Sequence, residues 1–511
     1  MTKLSGVRYE HAKAIYDDLV RARGDQRYPA PPFMMSMSMS HGAYLGPGSN
    51  SIVLEQEAYD ICMSLGEEEG TAAVAGLLGH ELIHYYEKHQ WRSSFVSEYQ
   101  NKLQVGRSLE SQVDLDKLNN ETQADYLGGF LAYSAGYRVF HQRPALLDSI
   151  YRVYKIPEID SSGRYPSLAD RKKLAEISEE KLAQMVQLFE IANLMAAIGE
   201  YPNARAIYRH ILTDYQSPQL FSNLGAVAVL EALETFPRSE RIYRLPIELD
   251  LSFGAGSKDG FTEAERKEAN KLLKEAIMYF NNALAMNNDY APAYLNKACA
   301  YYLMEEWPQA RFYAEVEAQS RTEAYPKTAE DANVLLALIA LKNGEGKEAA
   351  IGMLSPLAEK SAIARYNLSK IKDENLPEGR NNEPWSSDID GIDPIDLTGY
   401  GSIADNDPVL RLRLYGKLRI EAWELNNSTV IRVDPPKSGN GVYIHLTKKG
   451  SEEETDDGFR AGSPRADLIA KYGEPPVSRA LPGGEVLVYG EVIFFLDKGG
   501  KLERWANYAF K

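Results

Sequence analysis

The chain has 511 residues, a length typical of about three domains. Its composition, 44% hydrophobic and 25% charged, is that of a folded globular protein. A formal net charge of −16 argues against phosphate-backbone binding as the main task, so we expect no nucleic-acid partner. The only two cysteines, Cys62 and Cys299, exclude a disulfide framework and a cysteine-rich zinc site.

No apolar run approaches the roughly 20 residues that a membrane-spanning helix needs. The longest runs are AAVAGLL (72–78) and LLALIAL (335–341), so we expect no transmembrane segment. Residues 1–20 are polar and of mixed charge, and they show no signal peptide. We therefore expect a cytoplasmic protein, or one whose numbering starts after a removed signal.

Residues 1–178 are predicted to form one α+β domain, which opens with an amphipathic helix over about 8–22. After a Pro-rich turn, FMMSMSMS (33–40) partly alternates Met and Ser, which predicts a strand with one apolar face. A short strand and a helix are expected in SNSIVLEQEAYDICMSLG (49–66). Two further helices are expected at GLLGHELIHYYEKH (76–89) and from about 121 to 136.

The segment 76–89 places three of the eight histidines within ten positions. His80 and His84 are four apart, so they lie on the same face of a helix, with Glu81 between them. This H-E-x-x-H pattern is typical of two imidazoles that bind zinc beside a glutamate that acts as general base. Taken alone, it also fits an accidental pair of buried histidines.

A catalytic zinc needs three protein ligands and one open position. His89 lies five residues past His84 and therefore points off the ligand face. The remaining candidates are Glu121 and Asp125, four apart on the second helix. Glu121 can bind the metal while Asp125 accepts the outer N–H of a ligand histidine. Small residues would let the two helices approach closely: Ala124, Gly128 and Gly129.

Together these motifs resemble the gluzincin metallopeptidases that include HtpX-like and CAAX-prenyl-protease-like enzymes. The family pattern is H-E-x-x-H with a further His five residues on, then E-x-x-A-D-x-x-G and A-G-Y. This chain matches with His80 to His89, with Glu121 to Gly128, and with Ala135-Gly136-Tyr137. The resemblance covers about residues 30–175 and implies a zincin-like fold.

The resemblance implies a zinc endopeptidase that acts on protein or peptide substrates. One Zn²⁺ per chain would be bound by His80, His84 and Glu121, where it acidifies water and polarises the scissile carbonyl. Glu81 would take the proton and deliver it to the leaving amine.

In the family, the strand ahead of the zinc helix offers an edge for an extended peptide. The matching segment is SHGAYLG (40–46), which also fits an ordinary edge strand. Its candidate substrate-binding residues are His41, Gly42, Ala43 and Tyr44.

The chain departs from the family where His-Pro is usually followed by Ser or Thr and an Arg. Here RYPSLADR (164–171) has Tyr165 in the place of the histidine. Tyr165 is a candidate donor to the oxygen that becomes negative during catalysis, with Arg171 as the next candidate. The alternative is that Tyr165 only packs.

Residues 179–372 are predicted to form an α-helical, tetratricopeptide-like array. The segments 199–212 and 304–316 share aromatic-Pro-x-Ala-Arg, and Ala310 lies 34 residues after Ala276, the period of that repeat. The usual packing positions are filled by Ala276, Phe280 and Ala283, although residues 237–262 interrupt one hairpin. A generic helical bundle is the alternative. Stacked hairpins would bind a protein partner.

Residues 373–408 are rich in Asp, Asn, Gly and Pro and are predicted to be a linker. Residues 409–511 are predicted to form a small α+β domain of unknown role. LRLRLYGKLRIEAW (410–423) alternates as one strand, and further short strands follow. SPRADLIAKYGEP (463–475) is expected to be a helix, followed by three strands with PGG and DKGG turns.

The leading interpretation is a zinc endopeptidase joined to helical repeats that recruit protein clients. It is similar to the soluble, BepA-like periplasmic proteases of outer-membrane protein quality control, and this favours an extracytoplasmic location. One alternative is a chaperone or scaffold with residual or no proteolysis, against which the intact Glu81 argues. Another is a zinc-stabilised structural domain, which a three-ligand set disfavours.

Overall fold

The computed structural model describes residues 6–46, 50–89, 106–141, 143–156, 168–237, 240–247, 263–374, 387–392, 406–435, 441–475, 477–481 and 484–510, with positions 384 and 403. The chain forms two compact units, Met1–Leu188 and Phe189–Lys511. Within the described part of the chain, no helix is both long and apolar enough to cross a membrane.

The first unit combines helices with a small sheet. Its helices are α1 (Val7–Arg23), α2 (Gln56–Met63), α3 (Glu67–Tyr86), α4 (Gly106–Ser134), α5 (Arg143–Tyr154) and α6 (Leu168–Ala197), the last of which continues into the second unit. Its strands are β1 (Phe33–Ser36), β2 (Ala43–Leu45) and β3 (Ile52–Glu55). The predicted strand over 33–40 therefore ends at Ser36. The expected domain boundary at residue 178 falls inside α6.

The small sheet has the order β1-β3-β2. The central strand β3 is buried along its whole length because its residues, IVLE, are covered on both faces. It pairs in parallel with β1 and antiparallel with β2. β2 is therefore an edge strand, and it is the strand that the sequence analysis offered to a substrate.

Helix α3 runs through the core of the first unit. Three glutamates in its first turn, Glu67 to Glu69, complement the positive end of the helix dipole. Beyond that turn, most side chains of the helix are small or apolar, such as Ala73, Leu78 and Leu82, and they are buried on almost every side of the helix. A helix that is apolar all round belongs in a protein interior, so the side chains of His80 and His84 are largely shielded from water, with 11% and 12% exposed.

The second unit begins with a succession of helices. They are α7 (Tyr201–Ile211), α8 (Pro218–Thr235), α9 (Glu263–Met286), α10 (Ala291–Leu303), α11 (Trp307–Arg311), α12 (Pro326–Lys342), α13 (Lys347–Leu354) and α14 (Ala362–Ile371). A π-helical stretch, Phe312–Ala318, and a 3₁₀ turn, Gln319–Arg321, follow α11. The helical nature of this region is confirmed.

Close packing of small residues joins the helices of the second unit. Ala276, Phe280 and Ala283 of α9 are fully buried, as the repeat pattern predicts. A Cβ added at Gly225 of α8 would lie 2.5 Å from the ring of Phe280, so α8 and α9 can approach closely only because this residue is glycine. The assignment to tetratricopeptide repeats stays a prediction. Residues 248–262 of the predicted interruption lie outside the described residues.

The second unit ends in an eight-stranded antiparallel sheet of order β4-β5-β6-β7-β11-β10-β9-β8. The strands are β4 (Leu410–Leu414), β5 (Leu418–Glu424), β6 (Ser428–Asp434), β7 (Val442–Thr447), β8 (Val477–Leu481), β9 (Gly484–Tyr489), β10 (Val492–Asp497) and β11 (Leu502–Phe510). One helix, α15 (Arg465–Tyr472), packs Leu468 against Phe494 and Trp505 in the core of this sheet.

The prediction of one strand over 410–423 was wrong, because this segment is a hairpin. Tyr415 and Gly416 have positive φ angles of 50° and 67°, and they turn the chain between β4 and β5. Such angles are typical of tight hairpin turns.

Part of the predicted linker also differs from expectation, because residues 387–392 pack against the sheet. Ile389 is fully buried in the same core as α15. The Asp390 carboxylate accepts hydrogen bonds from the hydroxyl of Ser428 and the backbone N–H of Asn427. These residues are therefore part of the sheet domain rather than a free linker.

A buried histidine lies in the middle of this sheet. His445 of β7 is 0% exposed, and its Nε2 lies 2.8 Å from the Oγ of Ser428. Since the Ser428 hydroxyl donates its proton to Asp390, it accepts from Nε2–H of the neutral imidazole. Burial lowers the pKa of His445 to about 4, an effect that the charge of Asp390 only partly offsets.

We predict that His445 weakens the sheet domain in mild acid. Above pH 6.5 the imidazole is neutral in both the folded and the unfolded chain, so it contributes no pH dependence. As the pH falls from 6.5 towards 4, only the unfolded chain takes up the proton, and the free energy of opening should fall by about 2–3 kcal/mol. Hydrogen exchange of the β6 and β7 amides, measured at pH 7 and pH 4.5, would report this loss.

The matched variants are His445→Gln, which keeps a side-chain N–H near the position of Nε2, and His141→Gln at an exposed position. We expect His445→Gln to remove most of the acid-dependent loss in these strands and His141→Gln to leave it unchanged. An equal loss in wild type and His445→Gln would contradict the prediction.

Candidate metal centre

Two helices bring the three predicted metal ligands together. On α3, the Nε2 atoms of His80 and His84 lie 2.9 Å apart. On α4, Glu121 places Oε1 3.5 Å from the Nε2 of His84 and Oε2 3.7 Å from the Nε2 of His80. One ligand atom from each residue thus lies within 4.8 Å of the others. In the described part of the chain, this is the one group of His, Cys, Asp and Glu residues with such a geometry.

The geometry and chemistry of this group fit zinc. Bonds of about 2.0–2.2 Å in a tetrahedron separate neighbouring ligand atoms by about 3.3–3.6 Å. The separations of 2.9 Å between the two histidine nitrogens and of 3.5 Å between Nε2 of His84 and Oε1 of Glu121 lie close to that range. Two imidazole nitrogens and one carboxylate oxygen are ligands that zinc prefers, and three of them leave the fourth position open. An open position is typical of catalytic rather than structural zinc.

Both histidines are held by their outer nitrogens. The Nδ1 of His80 lies 2.6 Å from Oδ1 of the buried Asp125, to which it donates. The Nδ1 of His84 lies 3.0 Å from the Nδ1 of His89. The two Nε2 atoms therefore face each other and Glu121. His89 itself lies outside the ligand group.

Two arginines complete the environment of the site. Arg143 of α5 donates to Asp125, and Arg171 of α6 donates to Oε2 of Glu121 at 2.6 Å. Sequence analysis missed Arg143, since nothing in its local pattern points to Asp125. It considered Arg171 as a donor to the reacting oxygen, whereas the structure places the guanidinium on the predicted ligand Glu121. Tyr165 lies outside the described residues, and its role stays a prediction.

Burial and neighbouring charges set the protonation of the ligand group. Burial lowers the pKa of His84 to about 3, and the charge of His80 adds to this effect. Burial raises the pKa of Glu121, but His80 and Arg171 outweigh it and hold this pKa below its usual value. His84 is therefore a neutral imidazole and Glu121 an ionised carboxylate, the forms in which both bind metal.

His80 and Asp125 form a strongly coupled pair. Burial lowers the pKa of His80, yet the charge of Asp125 and the hydrogen bond to it leave that pKa above its usual value. Burial raises the pKa of Asp125, but Arg143 and His80 hold it well below its usual range. The carboxylate is thus ionised, and it orients His80 with Nε2 towards the ligand group.

Glu81 lies beside the ligand group without belonging to it. Its Oε1 is 4.0 Å from the Nε2 of His80, and the backbone N–H of Leu45 in β2 donates to its carboxylate. Burial raises the pKa of Glu81 to about 7, although the charge of His80 opposes this shift. A carboxylate with a raised pKa is a stronger base than an exposed one.

The predicted substrate edge coincides only in part with a strand. Ala43 and Tyr44 belong to β2, whereas His41 and Gly42 precede it. The rings of His41 and Tyr44 lie 4.9 Å apart, so the two candidate residues contact each other.

Hydrogen bonds show which backbone groups of β2 face away from β3. The N–H of Gly46 donates to the carbonyl of Ser51, and the carbonyl of Gly42 accepts from the N–H of Glu55. Because the bonded pairs of an antiparallel ladder alternate, the backbone of Ala43 points to the open side of the sheet. The backbone N–H of Leu45 points the same way, towards Glu81.

Sequence analysis also missed Glu55, the last residue of β3. Its carboxylate is 0% exposed and accepts hydrogen bonds from the hydroxyls of Ser38 and Ser40 and from the N–H groups of Ser40, His41 and Gly42. Burial raises the pKa of Glu55, but these bonds outweigh it and keep the carboxylate ionised. These bonds tie the loop between β1 and β2 to the end of β3.

Helices α3 and α4 approach closely because two glycines face each other. A Cβ at Gly79 would lie 2.5 Å from the carbonyl oxygen of Gly128, and a Cβ at Gly128 would lie 2.5 Å from the backbone nitrogen of His80. Gly128 was one of the small residues singled out from the sequence, and Gly79 is its unpredicted partner. Gly129 instead faces Leu182 of α6.

Comparison with known proteins gave no assignment. A scan against protein-family models found no match, and a search of curated proteins found no matching sequence. The resemblance to gluzincins stays a prediction from the sequence motifs.

We predict that Gly79→Ala weakens metal binding. The added Cβ would contact backbone rather than a flexible side chain, so α3 and α4 must separate, and such overpacking costs about 1–3 kcal/mol. We expect a lower melting temperature and a zinc affinity reduced at least tenfold, since His80 and Glu121 lie on opposite helices. Competition with a chromogenic chelator would measure the affinity.

The control is Gly76→Ala on the same helix. There the added Cβ would meet only the guanidinium of Arg143 at 3.5 Å, an ordinary contact. Removing a glycine from a helix should make this variant as stable as wild type or more stable by about 0.5–1 kcal/mol. Wild-type zinc affinity in Gly79→Ala would show that the close approach is not needed for the metal site.

Proposed function

We propose that the first compact unit is a zinc-dependent endopeptidase of the gluzincin type. One observation supports this most directly: His80, His84 and Glu121 converge as a three-ligand group with Glu81 beside them. The same Glu81 accepts a hydrogen bond from the edge strand that would bind the substrate. The proposed base, the candidate ligands and the proposed peptide-binding edge are thus adjacent.

The residues of the chain have distinct tasks in the proposed reaction. Zinc, when bound, lowers the pKa of a water molecule and polarises the peptide carbonyl. Glu81 takes the proton from the attacking water and passes it to the leaving amine. Asp125 keeps His80 in the tautomer that presents Nε2. Arg171 binds Oε2 of Glu121 and so directs the other oxygen to the ligand group.

The substrate would be an extended peptide that pairs with β2. Ala43 offers its backbone N–H and carbonyl on the open side of the sheet, which suits β-strand addition. Leu45, two residues further, is joined to Glu81. A peptide that pairs with Ala43 therefore passes next to the base.

The proposal extends to the second unit, where the helices would recruit protein clients. The buried Ala276, Phe280 and Ala283 and the tight contact at Gly225 support a tetratricopeptide-like packing of its helices. A role in envelope protein quality control, and with it an extracytoplasmic location, is supported by the family resemblance alone.

The site favours catalysis over the alternatives. A scaffold or chaperone has no need for a largely buried carboxylate that lies beside the ligand group without joining it, and Glu81, whose side chain is 13% exposed, is such a carboxylate. A structural zinc site usually closes with four protein ligands, whereas three converge here among the residues that the structure describes.

We predict that Glu81→Gln retains zinc and loses hydrolysis. Glu81 is not a ligand, and glutamine has nearly the same shape but cannot take a proton. Zinc content by mass spectrometry should stay at one per chain, while cleavage of casein should fall by about 10²–10⁴, the range typical of a lost general base. Peptidase activity close to wild type in the zinc-loaded variant would refute the mechanism.

We also predict that Glu121→Ala and His89→Ala differ in zinc binding. Loss of Glu121 removes a candidate ligand and should lower zinc occupancy strongly, whereas His89 contacts the outer nitrogen of His84 rather than the nitrogen that faces the ligand group. Asp125→Ala should weaken zinc affinity or activity by roughly 10–100-fold. Titration of the zinc-free proteins would rank them. If His89 proved essential and Glu121 dispensable, the ligand assignment would be wrong.

A further inference from the structure

The first strand of the eight-stranded sheet leaves one edge open. β4 pairs with β5 on one side, and no strand of the described chain pairs with its other side. Helix α7 contacts β4, yet within the described chain no hydrogen bond joins this strand to a residue outside its hairpin with β5. The outward N–H and carbonyl groups of such an edge can pair with a further extended chain.

The two faces of β4 differ in character. Leu410 and Leu414 are 5% and 4% exposed, and with the half-buried Leu412 they point to one face of the sheet. Arg411 and Arg413 are exposed and point to the other face, because successive side chains of a strand alternate. An extended chain added to this edge would therefore continue an apolar face and a basic face.

The two arginines of β4 have different neighbours on β5. Arg411 lies opposite Glu421, and its Nε is 3.2 Å from that carboxylate. Arg413 lies opposite Arg419, which is also exposed. Within the described chain the side chain of Arg413 has no ion pair or hydrogen bond. Like charges directly opposite each other on neighbouring strands are destabilising, so Arg413 lacks the negative neighbour that Arg411 has.

We propose that the edge of β4 binds an extended segment of a protein partner in which an acidic residue is flanked by apolar residues. Paired with β4, the acidic side chain would lie opposite Arg413, on the side away from Arg419. The flanking apolar side chains would lie beside Leu412 and Leu414 on the other face. The proposal involves no residue of the candidate metal centre and goes beyond the proposed hydrolysis.

Two other occupants fit the edge less well. If two copies of β4 paired antiparallel about Leu412, Arg411 of each copy would lie opposite Arg413 of the other, which repeats the repulsion of like charges. An anionic membrane surface would neutralise the arginines but would leave the outward backbone groups of the strand unpaired. A strand with acidic side chains satisfies the backbone and the charge together.

The test uses labelled peptides of equal length in which Val alternates with Asp, with Asn or with Lys. Fluorescence anisotropy measures their binding to the full chain. Because an acidic residue opposite Arg413 is favourable and a lysine there is unfavourable, we expect the Asp peptide to bind at least about fivefold more tightly than the Lys peptide. The Asn peptide should bind with intermediate affinity. Hydrogen exchange of β4 amides should slow when the Asp peptide is added.

The matched variants are Arg413→Gln and Lys417→Gln. Both remove one exposed positive charge from the same hairpin, but Lys417 follows the turn rather than lying on β4. We expect Arg413→Gln to reduce the advantage of the Asp peptide over the Lys peptide to about twofold or less, and Lys417→Gln to retain it. The melting temperature of Arg413→Gln should not fall, since the substitution removes a pair of like charges.

Three results would overturn the proposal. The first is equal binding of the Asp and Lys peptides to the unchanged protein, which would show that the arginines only protect the edge against pairing. The second is an equal loss of preference in both variants, which would indicate a general attraction of charge. The third is binding to phosphatidylglycerol vesicles that Arg413→Gln abolishes, with no slowing of β4 exchange by the Asp peptide, which would indicate a membrane surface.

Discussion

The contact between the backbones of α3 and α4 is the constraint on which the candidate site depends. His80 and His84 lie on one helix, and Glu121 and Asp125 lie on the other. Packing of the two helices therefore brings these four side chains together. Only because Gly79 and Gly128 lack side chains can a carbonyl oxygen and a backbone nitrogen take the space of a Cβ. The distances of 3.5 and 3.7 Å from the carboxylate oxygens of Glu121 to the nitrogens of His84 and His80 follow from that approach.

Burying several charged side chains close together costs free energy unless they have oppositely charged partners. The charged side chains of this site form such pairs. Asp125 lies between His80 and Arg143, and Glu121 lies between the histidines and Arg171. Each arginine comes from a different helix, α5 or α6. The candidate site is thus supported by four helices, although only two of them carry the candidate ligands.

Local periodicity accounts for what could be predicted from the sequence. A spacing of four puts two side chains on one helix face whatever the surroundings, and this was enough to single out His80 with His84 and Glu121 with Asp125. Glu55, Arg143 and Gly79 escaped because their partners lie on other elements, and no pattern within their own segments records those contacts. The turn at Tyr415 was missed because apolar alternation continues through it. Ile389 was missed because one apolar residue in a polar segment has no period.

The loop after β1 contains two sets of positions: those that bind Glu55, and positions 37 and 39, which do not. Glu55 binds serine hydroxyls and backbone N–H groups, and it makes no use of the side chains at positions 37 and 39. Those two positions can therefore be exchanged for aromatic, branched or charged residues while the loop keeps its course and the ligand group stays untouched. Diversification of this scaffold, by natural variation or by design, would accordingly start at these two positions.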